Sequence, residues 1–149
     1  MDWKLETLMA VRTIIAALLG AVIGWEREQH RSEAGIRTYA AVSVGACVFG
    51  LVSSHVEGGD PTRIAAQVVT GVGFLGAGVI LRDRGQITGL TTAATIWSTA
   101  AVGLAIAYGM YVLGTLTGLI VFALLALHHV PGWGKVKKDN QQDKESPQP

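Results

Sequence analysis

Apolar residues run along this chain in long blocks parted by short charged stretches, and they lack the strict alternation of a half-buried strand. Between Ile64 and Leu81, and again between Gln86 and His128, no side chain carries a formal charge. Crossing a hydrocarbon core of about 30 Å takes roughly 20 helical residues. Five segments fit: 8–25, 39–56, 64–81, 87–108 and 110–130. The pattern predicts an all-α, polytopic membrane protein, with a five-helix transmembrane bundle over residues 1–130.

The breaks between segments are informative. Asp60-Pro61 has the chemistry of a helix start, an oxygen cap followed by a residue that needs no N–H partner. Tyr108-Gly109-Met110-Tyr111 must reverse the chain in very little length, so the fourth and fifth helices should form an antiparallel hairpin. Residues 131–149 change to Lys, Asp, Gln, Ser and Pro, too polar to bury a core, and are expected to form a disordered cytoplasmic tail.

Composition alone would also allow a small soluble domain, since half of the 149 residues are hydrophobic and 15% are charged. Charge placement removes that choice and adds an orientation. Arg27, Arg31, Arg37, Arg82, Arg84, Lys135, Lys137, Lys138 and Lys144 share one side of a five-span arrangement, against Lys4 and Arg63 on the other. The positive-inside rule then puts the N-terminus outside and the C-terminus in the cytoplasm. Trp3, Tyr108 and Tyr111 would mark the outer interface, and Trp25, Tyr39 and Trp133 the inner one. Met1-Asp2-Trp3-Lys4-Leu5-Glu6 is mixed in charge and Arg12 interrupts the first apolar run, so this start does not read as a cleaved signal. The single cysteine, Cys47, reads as a small buried hydrophobe.

Gly71-Val72-Gly73-Phe74-Leu75-Gly76 fits G-x-G-x-x-G, yet no strand precedes it and position 96, where an acidic residue would bind a ribose, is isoleucine. No nucleotide or nucleic-acid partner is expected. In lipid, small residues let helix backbones approach. Gly71 and Gly78 fall on one side of the third helix and Gly73 and Gly76 on the other, so that helix is expected at the centre, gripped from two sides. Gly20-x-x-x-Gly24, Gly114-x-x-x-Gly118 and the stripe Ser43, Cys47, Gly50, Ser54 offer compatible faces. Thr88, Thr92, Thr95 and Thr99 form a polar stripe that can bond its own carbonyls, bridge helices or line a wet cavity.

Ionisable groups supply the candidate sites. Arg12 either snorkels to the interface or pairs with Asp60. Asp60, Arg63 and Gln67 continue along one face toward Gly71 as a polar entry. Glu26 and Arg27, closing the first helix, are expected to be partly desolvated and to pair with Arg37 or Arg82, unless the loop is simply solvated. Trp97 lies near the middle of the fourth helix, where its indole N–H needs an acceptor inside the bundle. No nucleophile–base pair, acid pair or metal-ligand cluster is legible, so no enzyme activity, cofactor or metal is expected.

Three blocks, LLGAVIGWERE followed by AGIRTYAAVSVGA, then DPTRIAAQVVTGVGFLGAGVI, then ITGLTTAATIWSTAAVG, resemble the MgtC/SapB family of bacterial inner-membrane proteins over roughly Leu18 to Gly103. The resemblance implies a small multi-pass regulatory protein of adaptation to low magnesium and, in pathogens, of survival inside macrophages. Its best-known members restrain the F-type ATP synthase by binding it. Those members continue into a folded cytoplasmic domain, whereas 20 residues follow His129 here, so the resemblance is expected to cover the transmembrane domain only. Thr91 stands where some members carry asparagine in a GLNTAA run. Matching positions are Glu26, Arg27, Gly35, Arg37, Asp60, Arg63, Gln67, Gly73, Gly76, Gly78, Thr92 and Trp97. The expectation is a protein that modulates another membrane complex, with self-association as a further partnership and a cation or solute transporter as the alternative.

Overall fold

A computed structural model describes residues 3–30, 32–55, 60–83 and 86–127. Among them are five helices, α1 Trp3–Gln29, α2 Ile36–His55, α3 Pro61–Val79, α4 Leu90–Ala107 and α5 Tyr111–Ala126, and a short hairpin of β1 Leu81–Asp83 and β2 Gln86–Thr88. The first four helices are long and apolar enough to cross a membrane, and α5 is a shorter apolar helix. The chain is thus an all-α multi-pass membrane protein. The tail 131–149 and the end of the fifth expected span lie outside the described residues.

Each boundary has a local cause. Asp60 caps α3 by accepting from the Thr62 amide at 2.9 Å and the Thr62 hydroxyl at 2.7 Å, with Pro61 in the first turn. α4 starts at Leu90, later than the span 87–108 suggests, because Ile87 and Thr88 pair with Arg82 and Leu81 across the hairpin. Gly89 then enters the helix at φ 81°, and its missing side chain leaves room for the Val79 carbonyl. At the far end Met110 donates to Ala105 and Gly109 to Ile106, a Schellman turn that needs the positive φ of Gly109 (75°). This turn makes α4 and α5 the antiparallel hairpin that the sequence predicts.

The central helix is α4, which corrects the expectation for α3. α4 packs against all four other helices, whereas α3 packs chiefly against α2 and α4. Composition explains the exchange. α4 is built largely of Ala, Thr and Gly, so neighbours approach it on several sides, and ten of its residues are buried. At Gly103 the α4 backbone runs against the Ser43 carbonyl of α2, with no room for a Cβ. A Cβ on Gly20 of α1 would come within 2.6 Å of the Tyr39 carbonyl, and one on Gly24 within 2.7 Å of the Ile36 Cα. Gly114 of α5 is closed by Ile106. By contrast, a Cβ at Gly71, Gly73 or Gly78 would meet nothing within 4 Å, and only Gly76 of that group faces a neighbour, Ala93. Ser43, Cys47 and Gly50 of the α2 stripe are buried as expected, and Ser54 is exposed.

Candidate functional site

The densest polar cluster forms where α1 ends, the loop to α2 turns and α4 begins. α1 carries 27 residues, about 40 Å at 1.5 Å per residue, so its last turn extends past the apolar core with Glu26 and Arg27 on it. Arg27 Nη2 donates to Thr92 Oγ1 at 3.3 Å, and Thr92 Oγ1 donates to Glu33 Oε2 at 2.7 Å. One turn further along α4, Thr95 donates to the Thr91 and Thr92 carbonyls. Its proton being engaged, the Tyr39 hydroxyl is the donor in the 2.5 Å contact with Thr95 Oγ1. Thr99 donates to the Thr95 carbonyl at 2.8 Å. The stripe therefore serves two of its expected uses, back-bonding within α4 and bridging to its neighbours, while Thr88 sits on β2 instead.

Glu26 is only 6% exposed and pairs with His30 one turn on at 3.2 Å, so neither Arg37 nor Arg82 is its described partner. The reason is helical: α1 continues to Gln29 and brings position 30 over position 26. The loop is tied down by Ser32 Oγ, which donates to the Arg27 and Ala34 carbonyls, and by Glu28, which accepts from the Ile36 amide at 3.0 Å. A Cβ on Gly35 would crowd that Glu28 carboxylate. Among the described residues Glu26 Oε2, Arg27 Nε and Ser43 Oγ are buried without a hydrogen-bond partner. The Thr92 hydroxyl, with a backbone hydrogen bond and the nearby Arg27 charge, holds the Glu33 carboxyl below its ordinary range. No group of three or more His, Cys, Asp or Glu suited to a metal ion occurs among the described residues.

Of the candidates read from the sequence, the cluster unites Glu26, Arg27 and Thr92 and adds Glu33, Tyr39, Thr95 and His30. Thr95 belongs to the polar stripe read from the sequence, whereas Glu33, a loop carboxylate, and Tyr39, which reads as an interface aromatic, gave little signal. The remaining candidates lie elsewhere. Arg37 is exposed in the first turn of α2, and Arg63 and Gln67 are exposed on α3. The Asp60 side chain caps its own helix, and its bonds from Thr62 hold the carboxyl below its ordinary range. Arg12 does not take Asp60 as its partner: Nη1 donates to the Ala107 carbonyl at 2.8 Å, Nε donates to the Tyr111 hydroxyl at 3.0 Å, and the guanidinium lies over the Tyr111 ring. A cation at the C-terminal end of α4 is also favoured by the helix dipole.

Trp97 faces away from the bundle, 51% exposed, and its indole N–H has no acceptor among the described residues. The cause is the position of α4 residues 94, 97 and 101, which share the uncovered side. On α3, Ala66, Thr70, Gly73 and Ala77 recur at helical spacing and all are exposed. Gly76 abuts Ala93 in this antiparallel pair, so one turn on Gly73 and Trp97 reach a similar depth.

A helical multi-pass membrane protein with its charged residues gathered at helix ends is the class these features define. The family profile described as the MgtC family matches residues 13–131, and the chain belongs to that family. The chain is 46% identical over 129 residues to YhiD of Escherichia coli, which is named as a candidate magnesium transporter; the match covers 80% of this chain and 60% of that protein. It is 43% identical over 128 residues to Protein MgtC of Brucella abortus, covering 85% of this chain and 54% of the relative. Against Protein MgtC of Salmonella typhimurium it is 49% identical over 98 residues, covering 66% and 42%. The matches thus span 42 to 60% of the length of these relatives. No solved structure matches the chain.

Proposed function

We propose that the protein is a non-enzymatic regulator in the bacterial inner membrane that binds another membrane complex during adaptation to low magnesium, with the F-type ATP synthase as that complex. The observation that carries this reading is the open face of α3, where Ala66, Thr70, Gly73 and Ala77 are exposed and a Cβ at Gly73 would meet nothing. Small residues on a lipid-facing surface let a second transmembrane helix approach to backbone contact. Trp97 adds a demand of its own. Its indole N–H lies mid-span, where hydrocarbon offers no acceptor and a partner helix can. The magnesium context is supported by family membership and by the name of the Escherichia coli relative.

Transport of a cation or small solute is the second reading, favoured by that same name and by Gln67, an amide that lines a largely apolar groove. Two measurements separate the readings. Affinity purification from native membranes should recover the synthase or another defined complex with the native chain and lose it with Gly73→Leu, whose side chain would enter open space and should leave folding unchanged. Protein reconstituted in liposomes should pass no magnesium. Flux that disappears with Asp60→Ala would reject the regulator in favour of the transporter.

A further inference from the structure

Between α2 and α3 lies an apolar slot of about 560 Å³, walled by Ala41, Gly45 and Phe49 on one side and Gln67, Gly71 and Leu75 on the other. Both walls are hollowed by glycine, since a Cβ at Gly45 or Gly71 would meet nothing within 4 Å. From Thr38 to Phe49 the slot follows α2 for about 16 Å. Apart from Thr38 and Gln67 its lining is apolar, which suits an extended hydrocarbon chain.

Charge at its ends is unequal. At one end Arg63 stands three residues from Asp60. At the other, Arg37 precedes Thr38, and Arg82, with Asp83 beside it, follows the end of α3, so one positive charge is in excess; both arginines are exposed. This end is the one the positive-inside rule assigns to the cytoplasm. Basic side chains at the mouth of a crevice between transmembrane helices recognise anionic headgroups.

We propose that the α2–α3 slot is a binding site for one anionic phospholipid, with an acyl chain along Gly45 and Gly71 and its headgroup at Arg37 and Arg82. The chain fills a slot that would otherwise forfeit its dispersion contacts, and the arginines select the headgroup.

The test is native mass spectrometry of the full chain in detergent with equimolar phosphatidylglycerol and phosphatidylcholine. The phosphatidylglycerol adduct should exceed the other by at least about five-fold, the preference one arginine near an anionic headgroup provides. The double variant Arg37→Gln, Arg82→Gln should retain both lipids equally. Gly71→Leu, whose side chain enters open space, should keep native helicity by circular dichroism and lose both adducts. Equal retention by the native chain, or phosphatidylglycerol retained by Gly71→Leu, overturns the proposal. So does a Gly71→Leu spectrum in which a dimer falls to monomer while the lipid stays, since the occupant would then be a second copy.

Discussion

Thr92 and Glu33 are 59 residues apart and joined by a 2.7 Å hydrogen bond, with the Thr92 oxygen also accepting from Arg27. A single hydroxyl therefore links the start of α4, the loop before α2 and the end of α1. Thr92→Val keeps the shape and removes both bonds. We expect a loss of about 1–3 kcal/mol, because Arg27 and Glu33 are left without their shared partner, and near-complete recovery with Thr92→Ser. Thermal unfolding in detergent measures both. Equal stability of Thr92→Val and the native protein would remove the cluster from the fold's determinants.

The same bond sets a pH dependence. The Glu33 carboxyl titrates lower in the folded chain than in the unfolded one, so its contribution is complete above the ordinary glutamate range and disappears as pH falls through the lowered folded value. Stability should therefore decline on the acid side of that range, and Glu33→Gln should flatten this part of the profile. Melting temperature against pH for the two proteins makes the comparison. Asp60, lowered by its bonds from Thr62, shifts in the same direction, so Asp60→Asn should flatten an additional part.

Glycines in different surroundings should behave unequally. Gly103 lies against the Ser43 carbonyl and Gly20 against that of Tyr39, so Gly103→Ala or Gly20→Ala should cost about 1–3 kcal/mol through overpacking. Gly73→Leu should leave folding and accumulation unchanged, since its side chain would enter open space. Membrane abundance and melting temperature read both classes. Poor accumulation of Gly73→Leu would mean that α3 is covered within the folded chain after all.

At the opposite end Arg12 closes the last turn of α4 through the Ala107 carbonyl. Arg12→Met preserves the aliphatic stem and removes a charged donor, with an expected loss of about 1–3 kcal/mol. Tyr111→Phe deletes only a hydroxyl and should cost about 0.5–1.5 kcal/mol. If the larger effect falls on Tyr111→Phe, the bond to the Tyr111 hydroxyl, and not the one to the Ala107 carbonyl, holds Arg12.

Much of the architecture is written in local sequence. Uncharged runs of spanning length, Asp60-Pro61 and Gly109 specify helices, a cap and a turn because each depends on neighbours within a few residues. The threonine stripe on α4 was legible for the same reason, since 3.6-residue periodicity puts Thr92, Thr95 and Thr99 together. Local sequence did not reveal that Ile87 and Thr88 would leave the fourth helix for a hairpin, because apolar length alone does not register a pairing across a turn.

Which helix lies at the centre was decided only by tertiary structure. Glycine makes a helix thin, but a thin face either meets a neighbour or stays open, and the choice depends on the fit of all five helices at once. The alanines and threonines of α4 fill the middle, and the glycines of α3 are left facing outward. The partners of Arg12, Glu26 and Thr92 were decided the same way, by segments brought together across up to 99 residues of sequence. Sequence by itself determined that this chain is a helical membrane protein of a recognisable family, because hydropathy and motif are properties of segments. Contact between segments belongs to the folded whole, and there the charged residues acquired their partners and Gly73 and Trp97 their open faces.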